Sequence, residues 1–186
     1  MFYSPEFYKF SELSIHLAQF AASNIDLDRV ASGVDLFAGQ GVVGIEFLKE
    51  SKIPVNKFEF IEKEIGFISY LEKNIASLQV GTTLVINHGN VFSQTSLEKF
   101  DLIILNPPFF QITTGRHPSD QRKRDCHFMN GFDLEDIWQV VSERSRQDCN
   151  IFMSFNRLMT IDDKYNLSID KTEKVGSEYL FKIVNK

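Results

Sequence analysis

Cysteine is nearly absent: the 186-residue chain has two, Cys126 and Cys149, and they form no CxxC pair. Two thiols do not make a disulfide-dense secreted scaffold. They read as reduced thiols of a cytosolic protein, and a single bridge between them is left open by the sequence. An excess of positive charge is missing too, since Lys and Arg number 20 against 25 Asp and Glu, a formal charge of −5. That balance excludes a general polyanion binder, so any nucleic-acid contact has to come from a local basic patch. No stretch approaches the roughly 18 apolar residues of a membrane span. The opening MFYSPEFYKFSEL carries charges where a signal peptide needs an apolar run. No internal repeat or low-complexity tract is present. The expectation is one domain over residues 1–186, cytoplasmic, not membrane-bound and long enough to bury a substantial core.

What the chain has in quantity is phenylalanine, 18 residues, most of them expected in the core. Apolar periodicity then separates helices from strands. A helix is expected over 10–25, with Leu13, Leu17, Phe20 and Ala21 on one face. Strands are expected at 34–39, 57–62, within 82–92, at 100–105 and at 150–155, with a terminal pair over 165–185. Between them, helices are expected at 41–51, at 65–78 with Ile65, Ile68, Leu71 and Ile75 inward, and at 133–146 with Asp133 as its cap. Strands alternating with helices imply an α/β fold, doubly wound around a mostly parallel sheet. The polar stretch 111–132 is long for a connection and reads as a functional loop.

Gly39-Gln40-Gly41-Val42-Val43-Gly44 fits GxGxxG between a strand and a helix, where glycine permits a tight turn and close ligand approach. Glu62, 18 residues after Gly44, ends the next strand and is placed for a ribose diol. A dinucleotide-dependent oxidoreductase accounts for both features. Asp35 argues against a pyrophosphate beside the turn and for a cationic amino group there. Asn106-Pro107-Pro108-Phe109, at the carboxyl end of the fourth strand, needs a different explanation, because ligands bind such sheets at that end. An exocyclic amino nitrogen is a poor nucleophile, its lone pair being delocalised into a ring or carbonyl. The Asn106 side-chain carbonyl and the Pro107 main-chain carbonyl are two acceptors for its protons, and Phe109 is a surface for the planar group to stack on.

DLFAGQGVVGIEFL, from Asp35 to Leu48, resembles the first motif of the S-adenosylmethionine (SAM)-dependent methyltransferases. That resemblance implies a Rossmann-like seven-stranded sheet with a terminal antiparallel strand. It also implies that SAM is held by Asp35, Phe37, Gly39 and Gly41, with Glu62 on the ribose and Asn90 and Val91 near the adenine. GNVF, residues 89–92, is similar to the third motif with Asn90 in place of its usual aspartate, so weaker cofactor binding is expected. NPPF is similar to the fourth motif of amino-methyltransferases, [DNS]-P-P-[FYW], whose members modify adenine N6, guanine N2 or a release-factor glutamine. Arg116, Arg122, Lys123 and Arg124, together with Phe110, lie just beyond this corner, where they are expected to bind a nucleic-acid substrate. NPPFF followed by GRHPSDQRKRDCHFMNGFDLEDIW resembles the bacterial adenine-N6 methyltransferases of valine tRNA, over roughly residues 8 to 145. The resemblance implies RNA, tRNA first, as acceptor. DNA adenine, guanine N2, protein glutamine and a catalytically silent SAM-fold module are its rivals. His117, Cys126, His127 and Cys149 match no usual zinc spacing, and no metal is expected.

Overall fold

In a computed structural model that describes residues 1–93, 98–111 and 119–186, the chain begins with α1 (Glu12–Asn24), β1 (Val30–Asp35), α2 (Val42–Glu50) and β2 (Val55–Glu62). It continues through α3 (Ile65–Ala76), β3 (Thr83–His88), β4 (Phe100–Leu105), β5 (Phe110–Gln111) and α4 (Gln121–His127). Then come β6 (Phe128–Met129), α5 (Leu134–Arg144), β7 (Ser145–Phe155), a 3-10 turn at Asp163–Tyr165, β8 (Leu167–Val175) and β9 (Glu178–Asn185). Seven strands form one sheet in the order β3-β2-β1-β4-β7-β9-β8, and β5 pairs with β6 apart from it. The pairs from β3 to β7 are parallel, and β9 alone runs against its neighbours. This is the expected α/β class, with the antiparallel strand next to the sheet edge.

Strand alternation divides the core into two layers. Leu102 and Ile104 of β4 face α1, α2 and the Leu71 side of α3, whereas Ile103 and Leu105 face α5 and its Trp138. Both faces are covered, so the central strands read as continuous apolar runs. α5 starts where expected: Asp133 Oδ1 accepts from the Glu135 and Asp136 amides, and the Asp136 carboxylate accepts from the Asp133 amide in return.

Three expectations are corrected. The first strand is Val30–Asp35 rather than 34–39. Its Ser32 and Gly33 mask it as a loop, yet Gly33 is small because Phe58 covers it: a Cβ there would sit 2.8 Å from that ring. In α3 the buried residues are Phe67, Leu71 and Asn74, and Ile65 is 65% exposed. The inward face is rotated because Asn74, a polar residue, is drawn in to bond the backbone of Tyr3 and Gln40. The stretch 111–132 is not one irregular loop, since it contains α4 and β6.

β1 and β4 are adjacent, and the connections diverge from them, β2 and β3 to one side and β7 to the other. A crevice opens outside their carboxyl ends, at the point where the winding reverses. Asp35 and Asn106 both follow from that placement.

Candidate active site

The turn after β1 is held by acidic side chains of the chain itself. Gly39 (φ 53°) and Gly41 (φ 87°) take left-handed conformations, and Gly41 caps the start of α2. The Gly39 amide donates to Glu62 Oε2 at 2.7 Å, and the Glu64 amide donates to Glu62 Oε1 at 2.7 Å. Burial nevertheless raises the Glu62 carboxyl above its ordinary range, against the lowering effect of those two amides. The Gly44 amide donates to Asp35 Oδ2 at 3.1 Å. Asp35 is fully buried, its Oδ1 has no hydrogen-bond partner among the described residues, and burial pushes its carboxyl up to about 7.

One cavity unites most of the expected site residues. Phe37, Gly39, Glu62, Asn90 and Val91 line it, and so do Asn106 and Pro108 from the NPPF corner. Asp35, Gly41 and Pro107 are buried and outside its lining. Phe109 is half-buried, edge-on to Phe155 with ring centres 6.1 Å apart, and packs against both core layers rather than lining the cavity. Asn90 Oδ1 accepts from the Phe92 amide at 3.1 Å. The Val91 carbonyl is held by the buried Arg144. Asn106 is anchored at both ends of its amide: Nδ2 donates to Ser14 Oγ at 3.2 Å, and Oδ1 accepts from the Ser154 hydroxyl at 2.5 Å.

Arg116 lies outside the described residues, and so does the side chain of Phe110. Arg122, Lys123 and Arg124 sit on α4, and none of them lines the cavity. The Arg122 guanidinium pairs with Asp120 at 2.9 Å and stacks 4.6 Å from the Phe7 ring centre. Arg124 donates to the Ser119 carbonyl at 3.1 Å, and Lys123 is exposed.

Several lining residues were not singled out by sequence. Phe92 and Phe132 join Phe37 in an aromatic wall, Phe37 and Phe132 stacked at 26° and Phe92 4.7 Å from Phe132. Tyr8 and Phe10 close the cavity from the N-terminal segment. That segment is tied down by the Tyr3–Asn74 bonds and by Gln40, whose amide nitrogen donates to Ser4 Oγ at 2.7 Å. The Tyr8 hydroxyl is pushed up to about 12, first by burial and then by the nearby Cys126 and Glu62. The DLFAG motif pointed to Phe37 alone. Tyr8 and Phe132 come from stretches without a motif.

The donor set suits a nucleoside-bearing cofactor: a carboxylate for a diol, an aromatic wall for a planar base and a bare Gly39 backbone between them. A Cβ on Gly39 would meet no atom within 4 Å, so the cavity reaches the main chain there. Among the described residues, no group of three His, Cys, Asp or Glu side chains could hold a metal ion, and no helix is long and apolar enough to cross a membrane.

The family model described as methyltransferase small domain matches residues 12–118. No curated protein sequence matches the chain. Its fold is similar to that of an Escherichia coli protein whose methyltransferase assignment is provisional, at 17% identity and TM-score 0.68, covering 100% of this chain and 91% of the other. A ribosomal protein methylase from Lactobacillus delbrueckii subsp. bulgaricus aligns at 14% identity and TM-score 0.66, covering 96% and 81%. A 16S rRNA guanosine-N2 methyltransferase from T. thermophilus, solved with AdoMet and guanosine, aligns at 17% identity and TM-score 0.64, covering 96% of this chain and 44% of the other. At these identities the likeness is one of fold, and the two acceptors that are named, a ribosomal protein and a ribosomal-RNA guanosine, differ.

Proposed function

The chain belongs to the methyltransferase small domain family and is a SAM-dependent methyltransferase, and from that premise we propose that its acceptor is an exocyclic amino nitrogen, adenine N6 in RNA, with tRNA the first substrate. One observation carries the reading: Asn106 and Pro108 line the same cavity as Gly39, Glu62 and Asn90. The corner that handles an amino group and the residues that suit a nucleoside therefore face each other.

When bound, SAM supplies an electrophilic methyl group on a sulfonium. Glu62 and the Gly39 main chain would hold its ribose and the turn beside it, with Phe37, Phe92 and Phe132 against its base. The protein's own task is alignment. The Asn106 carbonyl accepts one N–H of the acceptor amino group, which draws the nitrogen towards tetrahedral geometry and frees its lone pair. Transfer from SAM would exchange its S–C bond for an N–C bond, and the proton would leave the nitrogen to solvent afterwards, so this chain needs no strong base at the corner. An adenine within a stem or structured loop has to be flipped out to reach this corner. The exposed Lys123, with Arg116, Arg122 and Arg124, would meet phosphates, and binding would weaken as salt rises.

Methyl transfer from labelled SAM to separate pools of unmodified tRNA, ribosomal RNA, DNA and release factor tests this, with Asn106→Ala alongside. Label in tRNA, lost in Asn106→Ala while SAM affinity is kept, is the expected result. Label in release factor would keep the chemistry and overturn the acceptor. No label in any pool, with SAM bound, would overturn the acceptor class.

A further inference from the structure

We infer that Ser154 and Ser14 are positioning residues that clamp the Asn106 amide and fix its carbonyl oxygen in the orientation the acceptor amino group requires; this rests on the function proposed above. Asn106 is presented by β4, Ser154 by the neighbouring β7 and Ser14 by α1, so three elements meet at one side chain. Ser154 is fully buried and Ser14 is 3% exposed.

The chemistry of the hydroxyls decides the amide's direction. Ser154 Oγ has one hydrogen-bond partner among the described residues, Asn106 Oδ1. If the amide were flipped, Nδ2 would face Ser154, and the serine would have to accept. Its own proton would then be orphaned in a buried place, the costly way to leave a hydrogen bond unmade. Ser154 therefore donates, and Oδ1 stays on its side. Ser14 Oγ accepts from Nδ2 and holds the other end; Ser14 lines the cavity, so its own proton has an outlet there that the fully buried Ser154, outside the lining, lacks. An amide oxygen has two lone pairs, so one remains for an incoming N–H after Ser154 has taken the other. A flipped Asn106 would instead aim N–H donors at a substrate amino group and repel it. The serines act through Asn106 and do no chemistry of their own.

The test uses the full chain with Ser154→Ala, Ser14→Ala and, as the conservative variant, Ser154→Thr. Ser14 lies within α1, where alanine favours the helix, so Ser14→Ala keeps the fold if Ser154→Ala does not. The first readout is the Asn106 side-chain amide resonance in nitrogen-15-labelled protein, which needs no acceptor. A sharp, exchange-protected pair is expected in the wild type, broadened or exposed to solvent exchange in either alanine variant and restored by Ser154→Thr. The second readout is kcat with the methylated pool, with SAM affinity measured beside it. A fall in kcat of up to about 100-fold, the cost of a misplacement of roughly 1 Å, is expected with SAM affinity unchanged. Amide resonances unmoved in both alanine variants would overturn the clamp. So would resonances that move while kcat stays at the wild-type value. If the wild type methylates no acceptor, the proposed function fails, and the resonance experiment still decides the clamp on its own.

Discussion

Asp35 makes the apo fold sensitive to pH in an unusual direction. Its carboxyl is fully buried outside the lining of the cavity, one oxygen bonded to the Gly44 amide and the other without a partner among the described residues. Burial raises it from an ordinary 3.8 to about 7. The folded state therefore holds this proton more tightly than the unfolded chain does. The stabilisation is fully present below the unfolded value and is lost as pH rises from near 4 through 7. A rise of roughly three pKa units, at about 1.36 kcal/mol each, corresponds to on the order of 4 kcal/mol. Asp35→Asn removes the titration and keeps the shape. Its amide adds a constant cost at the orphan position, so the informative quantity is how the difference between wild type and variant changes with pH. Urea unfolding of both proteins at a series of pH values measures it, each free energy taken by linear extrapolation. The wild type is expected to lose on the order of 4 kcal/mol relative to the variant between pH 4 and pH 8. Asp101, lowered by its Arg146 and amide partners in spite of burial, titrates in both proteins and cancels in the difference, whereas Glu62, whose charge adds to the rise at Asp35, leaves their mutual coupling in it. A difference that stays flat across the range would mean that Asp35 ionises at its ordinary value and that its second oxygen is solvated, which would refute the reasoning.

Both glycines of the turn lose stability on substitution, but only one of them is expected to touch the cofactor. Gly41→Ala sets a Cβ 2.6 Å from Leu71 at φ 87°, and a loss of about 1–3 kcal/mol in unfolding free energy is expected from the strained backbone. Gly39→Ala meets no atom within 4 Å at φ 53°, so the fold should survive with a penalty of about 1–2 kcal/mol while the methyl group enters the cavity and SAM affinity falls by calorimetry. Equal SAM affinity in Gly39→Ala and wild type would show that the cofactor does not approach this main chain. Glu62→Gln keeps one acceptor and removes the charge, and SAM binding should weaken by roughly ten- to a hundredfold, the worth of a charge-assisted hydrogen bond at about 1.5–3 kcal/mol. Undiminished affinity would take the ribose role from Glu62.

The features legible in the sequence were those whose chemistry is local. A glycine turn, an acidic strand end, NPPF and the Asp133 cap each lie within a few residues, and the sheet follows from their alternation. β1 was displaced because Ser32 and Gly33 break the apolar pattern for the sake of Phe58, which lies 25 positions from Gly33. α3 was rotated because Asn74 serves Tyr3, 71 positions away. The same distance hides the Asn106 clamp. Ser14 and Ser154 stand 92 and 48 positions from it, and a serine on a helix or strand announces nothing. What brings them together is topology: β4 lies beside β7, and α1 packs across that pair through Phe20 on Phe152. Groups that touch a substrate must have a particular chemistry, and sequence displays it. Groups that aim them need only one donor or acceptor in the right place, which many residue types supply, so their identity is set by which elements the fold makes neighbours. The orienting residues of this site are therefore to be sought on β7 and α1, the elements packed on the strand that carries Asn106, rather than along the motif itself.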